Sequence, residues 1–545
     1  MLLLDNPKGR RKLIEEDFLH WPQERLEQRL AKFAKEFPTK IALVDPWNRL
    51  TYEELDNAIN NLAVTFHQNG IQKNSVVMIQ LPNVAESMIV FHAALRAGAI
   101  VLPVTPIYRE AEIKTILEQV QPDVIFIPQY FKNNDYVKML ENIQQLNNVP
   151  KVAVKIPNER DTEGTSFIEW SEYIKNPNTE RLEERAYDPD EFSLLMFTSG
   201  TTSSPKGVLH THGTLGVAIS TFDGIETTGF NSVFLVPSPV THITGLVVGI
   251  LGPMKLGATT VFMPIWDAKK CLQIIEDEKC SYVMAATPFL SQLIDEVEAQ
   301  GKGMETMRYF ACGGADVSEY LLRRAKSILP HCTFSRIYGS TEAPGISKFK
   351  KNYDENKRYT HDGRPTSPGK AKIKEGSYLP NGSGELMVYG PQLFIRYISW
   401  VETEKAMTEE WFSTGDLALF DEDGFIQITG REKDIIIRGG ENYSAKEIED
   451  ILIAHPKVKD IGIVGYKDEV MGERGCAFVV LNQRNDTITL SDLTKLLAEK
   501  KVAKQKWPER LEVVDALPYT HSGKLQKFIL RDMLNNEVAL GKLIN

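Results

Sequence analysis

Ile41-Ala42-Leu43-Val44 and, seven residues on, Thr51-Tyr52-Glu53-Glu54 followed by Leu55, Ile59, Leu62, Phe66 and Gly70 decide the fold of this chain. The first piece is a short apolar strand. The second is a capping box in front of four apolar residues that share one helical face, with a glycine stop behind them. The same unit recurs: Val76 to Leu81 reads as a strand, Val84 to Arg96 as a helix ended by Gly98, and Ser232–Val236, Ala258–Met263, Tyr282–Ala286 and Met307–Ala311 read as β-rich runs between helical stretches. Repeated βα units of this length predict an α/β protein of mostly parallel sheets covered by helices on their faces.

Near residue 380 the texture changes. Gly384–Tyr389 and Leu417–Phe420 lead through Asp421-Glu422-Asp423-Gly424 into Phe425–Ile428, a β-hairpin pattern that predicts a β-rich subdomain at about 380–430. Beyond Gly430-Arg431 comes enough chain for a small α+β domain, with a Ser444–Glu447 capping box before Ile448, Ile451 and Leu452 and strands around Ile461–Val464 and Ala477–Leu481. The expected division is a large N-terminal domain, 1–430, and a small, mobile C-terminal domain, 431–545, meeting at Arg431 to Asp434.

The chain has 545 residues, with 63 basic and 73 acidic side chains and a formal charge of −10. That balance gives no global attraction to nucleic acid or anionic membrane, so neither is expected as a partner. The five cysteines are odd in number and show no metal-binding spacing, which argues against a disulfide frame and a structural zinc site. The first twelve residues lack the order of a signal peptide. The apolar stretch Ile243 to Ile265 is broken by Pro253, Lys255 and Pro264, too soon for a membrane span. A cytoplasmic protein is the expectation.

Four motifs carry chemistry. Phe197-Thr198-Ser199-Gly200-Thr201-Thr202-Ser203-Ser204-Pro205-Lys206-Gly207 follows a strand and suits an anion cradle, in which hydroxyls, backbone N–H groups and a lysine converge on phosphate oxygens. It is not a Walker A loop, because Gly207 follows the lysine. Tyr338-Gly339-Ser340-Thr341-Glu342 ends another strand and offers a ring for a purine, a hydroxyl for a phosphate and a carboxylate for Mg²⁺. Ser413-Thr414-Gly415-Asp416 supplies a carboxylate able to accept from both hydroxyls of a ribose. Leu517 to Lys524 presents a lysine on a glycine-containing loop.

Together these motifs resemble the adenylate-forming enzymes, a superfamily that includes acyl-CoA synthetases, firefly luciferase and peptide-synthetase adenylation domains. The resemblance spans about residues 40 to 530. Ser203 departs from the glycine commonest at its place in the loop. The resemblance implies that Thr198, Ser199, Gly200, Thr201, Thr202 and Lys206 hold the phosphates of ATP, and that Gly314 and Ala315 lie against adenine. It further implies that Tyr338, Gly339 and Thr341 contact the nucleotide, that Glu342 binds Mg²⁺, and that Asp416 and Arg431 take the sugar and phosphates. Lys524 would bridge the attacking carboxylate and the α-phosphate, Lys433 would be the hinge, and Gly439 and Gly440 would line a pantetheine channel for coenzyme A. The catalytic set on this view is Lys524, His242, Thr198 and Glu342.

The substrate is addressed by Pro237 to Gly245. No acidic residue stands between Phe234 and Trp266 to pair with an α-ammonium, which argues against amino acids and for an acid with an apolar tail. This run resembles short- to medium-chain fatty acyl-CoA synthetases and alicyclic-acid CoA ligases, with His242 gating a pocket shaped by Val240, Thr244, Gly245 and Gly339. Two rivals share these motifs: an adenylating enzyme that loads a carrier protein, and a non-catalytic nucleotide-binding regulator; luciferase-type oxidation is more distant. Either a monomer or a homodimer is compatible with the sequence. His210-Thr211-His212, Lys348-Phe349-Lys350-Lys351 and Cys312 are read as structural or solvated residues.

Overall fold

The structure is a computed structural model and describes residues 24–535 except 158, 160–166, 176–180, 184, 187, 199–204, 223–227, 302, 315–316, 380, 439–440, 469, 484–485 and 521–522. The opening unit folds as its sequence requires. Ile41–Val44 is a strand, and the helix Tyr52–Gln68 starts on a formed capping box, with the Glu54 N–H donating to Thr51 Oγ1 and the Thr51 N–H to Glu54 Oε2. The next helix, Ala85–Ala97, buries nearly every side chain and ends on Gly98 in the left-handed conformation.

Two large sheets form the N-terminal part. In one, Thr333–Arg336, Tyr309–Cys312, Tyr282–Ala285, Val233–Val236, Thr259–Phe262 and Ile41–Val44 lie parallel in that order, and Arg49–Thr51 closes the edge antiparallel. In the other, the order is Arg396–Tyr397, Lys206–Thr211, Phe192–Thr198, Ile100–Pro103, Val76–Ile79, Val124–Pro128, Lys151–Val154 and Ile168–Glu169; the first two strands are antiparallel to their neighbours and the rest are parallel. One apolar cluster joins them, drawing Val77, Leu102 and Leu194 from one sheet, Phe234 and Tyr282 from the other, and Leu62 and Phe91 from the helices. Burial on both faces explains why these strands are continuous apolar runs without alternation.

A third, antiparallel sheet contains Lys370–Ile373, Gly384–Tyr389, Trp411–Phe420 and Ile426–Arg431; the last two form the expected hairpin around Asp421–Gly424. Strands from 435 onward make a separate sheet, Glu441–Ser444, Ile435–Arg438, Gly472–Leu481 and Val458–Asp468, with Arg510–Val513 beside Gly472–Leu481. Its core of Ile436, Ile448, Leu452, Ile463 and Val479 is its own. The fold is therefore the α/β class expected, with a large N-terminal part, a β-rich end and a smaller C-terminal domain.

One local reading changes. The Ser444–Glu447 capping box does not form, because the Ser444 hydroxyl donates to the Thr429 carbonyl instead and Glu447 pairs with Lys506. The stretch after His242 is a short α-helix, Ile243–Leu246, a π-helical segment, Val247–Leu251, and a second short helix, Gly252–Leu256. No helix among the described residues is long and apolar enough to cross a membrane.

Candidate functional site

Loops that leave the parallel strands Val233–Val236, Tyr282–Ala285 and Tyr309–Cys312 supply most of the lining of the crevice, the usual ligand position in open α/β sheets. Gly313 follows the strand Tyr309–Cys312; a Cβ there would meet the Ile337 carbonyl oxygen at 2.4 Å, so only glycine lets these two strand ends lie together. Gly314 has a left-handed backbone and faces open space, with Thr244 Oγ1 3.9 Å from where a Cβ would stand. Tyr338 to Glu342 leave the neighbouring strand. The turn is held from behind by His210, whose Nε2 meets the Thr341 carbonyl at 2.7 Å and whose Nδ1 meets Thr214 Oγ1 at 3.0 Å. Gly339 packs beside Gly345 and Ala343, behind the turn. His210 and His212 thus serve the framework, and among the described residues no group of three or more His, Cys, Asp or Glu side chains could hold a metal. Cys312 is buried, which pushes its thiol above the ordinary range and leaves it a poor nucleophile.

Asp416 is buried between two partners. The Tyr338 hydroxyl donates to its Oδ2 at 2.7 Å, and Arg431 Nε lies 3.0 Å from its Oδ1. Burial, and then Asp416, push the Tyr338 phenol well above its usual value, while Asp416 keeps the Arg431 guanidinium charged. The hairpin register Asp416↔Arg431 sets this pair directly opposite across two strands. The sequence assigned both to the nucleotide without showing that they neighbour each other.

Of the phosphate loop, Ser199, Gly200, Thr201 and Thr202 lie outside the described residues, as does Ala315. Its two ends are fixed by antiparallel pairing of Thr198 with Lys206. The Lys206 ammonium meets Glu402 Oε2 at 2.5 Å and lies over the Tyr397 ring. The Tyr397 hydroxyl donates to Glu342 Oε1 at 2.8 Å. Neither Glu402 nor Tyr397 stood out in the sequence, because a Glu on a polar helix and an aromatic in a two-residue strand are ordinary.

A small pocket takes shape at Pro237 to Thr244. Asn83, buried, clamps this segment with its whole amide: Nδ2 donates to the Val236 and Ser238 carbonyls and Oδ1 accepts from the Val240 N–H, each at 2.9 Å. His242 caps the following helix, accepting from the Thr244 N–H at 3.4 Å. Burial, and then the Lys524 ammonium, lower its pKa to about 3, so the imidazole is neutral at ordinary pH. Ser238, Pro239, His242, Thr244, Ala286, Phe289, Gly313 and Gly314 line a small cavity of about 10 Å³. Val240 is packed into the core behind this wall, and a Cβ on Gly245 would strike the Pro239 carbonyl at 2.0 Å, so neither faces the cavity.

Lys524 comes from the C-terminal domain. Its loop is tied by the Lys524 N–H to Thr520 Oγ1 at 2.9 Å and by the Thr520 N–H to the Lys524 carbonyl at 2.8 Å. Gly523 packs on the lining of the small pocket: a Cβ there would lie 2.8 Å from the Ala286 Cβ. Burial and Arg431 lower the Lys524 pKa, while Asp416 and Glu342 oppose the shift. The ammonium therefore sits within electrostatic reach of four site groups that come from distant stretches of chain. Lys433, at the junction, is exposed in the turn Glu432–Asp434, and Arg531 binds both its carbonyl and the Asp434 carboxylate. Gly439 and Gly440 lie outside the described residues.

A second cavity, about 270 Å³, shares Pro239 with the first. Phe131, Tyr136, Ile107 and several prolines form its apolar walls, and Arg109 and Lys132 stand in it with no carboxylate among the lining residues. Burial lowers the Lys132 pKa.

The comparisons with known proteins agree with this geometry. The signature of the AMP-binding enzyme family matches residues 30–398, and that of the AMP-binding enzyme C-terminal domain matches 447–524. The chain belongs to the AMP-binding enzyme family. Within it the protein is an adenylate-forming acid ligase, an enzyme of the AMP-forming acyl-CoA synthetase class. It is 34% identical over 518 residues to the medium-chain fatty-acid–CoA ligase of Escherichia coli K12, covering 94% of this chain and 90% of the relative. It is 27% identical to the 2,3-dihydroxybenzoate–AMP ligase of Bacillus subtilis, covering 96% of each. The o-succinylbenzoate CoA synthetase of Bacillus subtilis, solved with its acyl-adenylate intermediate, superimposes with a TM-score of 0.78 at 26% identity over 93% of this chain and 98% of its own.

Proposed function

We propose that the protein joins a carboxylic acid with an apolar tail, in the medium-chain range, to coenzyme A in two steps through an acyl-adenylate. The observation that carries this reading is that Lys524 lies within electrostatic reach of His242, Glu342, Asp416 and Arg431, with neighbouring Gly523 packed on Ala286 of a pocket with no charged lining. In the first step a carboxylate oxygen of the acid attacks the α-phosphorus of ATP, the bond to the bridging oxygen breaks, and pyrophosphate leaves with the electron pair. Lys524 lets the two anions approach, and its positive charge offsets what develops in the transition state. Neutral His242 can donate a hydrogen bond to the acid without drawing it into an ion pair. Asp416, aligned by Tyr338 and Arg431, accepts from the ribose hydroxyls, and Thr198, Lys206 and the loop between them take the β- and γ-phosphates.

Glu342 fits Mg²⁺. One of its oxygens is engaged by Tyr397, leaving the other free to ligate, and a single carboxylate suits a cation that arrives with its phosphates and waters. The ion would neutralise phosphate charge at this end of the crevice.

In the second step the thiolate sulfur of coenzyme A attacks the acyl carbonyl carbon, the C–O bond to phosphate breaks, and AMP leaves. We infer that the domain from 431 onward turns about Lys433 between the steps, withdrawing Lys524. The second cavity supports coenzyme A over a carrier protein as acceptor: Arg109 and Lys132 stand beside the Tyr136 and Phe131 rings, a setting that suits a nucleotide bearing phosphates. The medium-chain range is supported by the relative from Escherichia coli, and at about 10 Å³ the pocket admits a tail only as Phe289 and its neighbours move aside. A panel of C2 to C16 and cyclic acids, assayed for AMP release with and without free coenzyme A, tests the reading. Thioester appearing in solution supports it; adenylate without thioester points to a carrier protein, and no AMP with any acid returns the regulator.

A further inference from the structure

Tyr397 touches two opposite charges that the proposed reaction needs. The strand Arg396–Tyr397 pairs with Lys206–Thr211, Val208 opposite Tyr397, so it lies beside the strand that leaves the phosphate loop. The side chain is 4% exposed and fixed on every side. Its ring packs at 4.8 Å on Phe394, and its N–H donates to Thr403 Oγ1 at 3.0 Å. Its hydroxyl donates to Glu342 Oε1 at 2.8 Å, and the Lys206 ammonium stands 5.2 Å from the centre of its ring.

These two contacts differ in kind, and each suits its partner. A hydrogen bond to one carboxylate oxygen fixes the rotation of Glu342 and leaves the second oxygen available. A ring face attracts an ammonium without neutralising it, so the N–H groups of Lys206 keep their capacity for phosphate. Glu402 holds the lysine from the far side at 2.5 Å and is itself balanced by Lys405 at 2.9 Å, so the group of three charges keeps a net positive charge. Lys206, and then Lys405, lower the Glu402 pKa to about 2, so it is ionised throughout the working range.

We propose that Tyr397 is a positioning residue for the triphosphate of ATP: its hydroxyl sets Glu342, its ring sets Lys206, and Glu402 keeps that lysine on the ring. This rests on the assignment of Lys206 and Glu342 made above. It takes part in no bond-making step.

The test uses the full chain and the variants Tyr397→Phe, Glu402→Gln, Lys206→Ala and Glu342→Gln. Tyr397→Phe keeps the ring and its packing while removing the hydroxyl, and thermal unfolding checks that the fold survives. Pyrophosphate exchange gives KM for ATP and for the acid; calorimetry gives ATP binding with and without Mg²⁺; supplied acyl-adenylate and coenzyme A give the second step alone. In Tyr397→Phe the expected result is a rise of about tenfold in KM and Kd for Mg·ATP, the loss of one hydrogen bond to a charged group, with KM for the acid and the second step within about twofold of wild type. Glu402→Gln is expected to raise the ATP values about threefold, as for a part-exposed ion pair. An unchanged ATP affinity in Tyr397→Phe, or a second step that falls equally, overturns the proposal. A lower KM for ATP in Glu402→Gln would show that the carboxylate competes with phosphate and overturns its share. If Lys206→Ala and Glu342→Gln leave ATP binding intact, the assignment of the site fails and Tyr397 with it. If they impair binding and Tyr397→Phe does not, only the role of Tyr397 falls.

Discussion

The Tyr338 hydroxyl donates to Asp416 at 2.7 Å across a crevice whose two sides lie 78 residues apart in the chain, and the other oxygen of Asp416 faces Arg431 at 3.0 Å. A buried carboxylate held by one tyrosine and one arginine is fixed in rotation, the arrangement that the proposed acceptance from a ribose diol requires.

Removing that carboxylate should cost more than loosening it. Asp416→Ala is expected to lower kcat/KM for ATP on the order of 100-fold, since hydrogen bonds to a charged group contribute about 1.5–3 kcal/mol each and the variant leaves Arg431 without its partner. Tyr338→Phe keeps a ring for the base and should lose about tenfold or less. Pyrophosphate exchange at varied ATP measures both, and a larger effect in Tyr338→Phe would contradict the assignment.

In the proposed mechanism Lys524 serves only the first step. Lys524→Ala should lower adenylate formation on the order of 100- to 1000-fold, the scale for loss of one group stabilising developing charge. Thioester formation from supplied acyl-adenylate should stay within about threefold of wild type. Because burial and Arg431 lower the Lys524 pKa, the ammonium loses its proton below the ordinary lysine range, and the first step should decline on the alkaline side. Lys524→Arg should move that decline upward. A depressed His242, neutral above a pKa of about 3, contributes no acid limb near 6.5. Initial rates of pyrophosphate exchange between pH 5.5 and 10 separate these outcomes.

Phe289 lines the cavity proposed for the acid, its ring edge-on to Trp266 at 4.7 Å. Phe289→Ala should shift the preferred acid to longer or bulkier tails and reduce kcat/KM for the shortest acids severalfold, one methylene being worth about 0.8 kcal/mol. Competition among C4 to C14 acids reads the shift directly, and an unchanged order of preference would place the tail elsewhere.

Much of this fold is legible from local rules. The capping box at Thr51, the stop at Gly98 and the hairpin at Asp421–Gly424 each rest on residues a few places apart, so sequence alone reveals them. The Ser444 box fails because Thr429, fifteen residues away, competes for the hydroxyl. The site follows the same division. Tyr338, Asp416, Arg431 and Lys524 carry recognisable surroundings, whereas Asn83, Tyr397 and Glu402 acquire their partners only from stretches distant in the chain. Val240 and Gly245 stand beside His242 in sequence, yet Val240 packs into the core and Gly245, without a side chain, lies against the Pro239 carbonyl, so neither lines the cavity.

Glu86 offers a test of the core that is independent of catalysis. It opens the helix Ala85–Ala97, where Asp45 already accepts from the Ala85 N–H at 2.8 Å. Burial raises its pKa from 4.5 to about 7, Asp45 adds to the rise, and its own backbone N–H opposes it. The proton is thus held more tightly in the folded protein than in the unfolded chain. Below pH 4.5 both states are protonated and Glu86 costs nothing. Between 4.5 and 7 only the unfolded chain gains by releasing the proton, so stability falls as pH rises; above 7 the loss is constant, on the order of 3 kcal/mol at about 1.4 kcal/mol per pKa unit. Glu86→Gln removes the ionisation and keeps the shape. Its thermal midpoint should match that of the wild-type protein near pH 4.5, exceed it increasingly up to pH 7, and keep that margin at pH 8. Parallel melting curves with no growing margin would show that Glu86 ionises freely in the folded state.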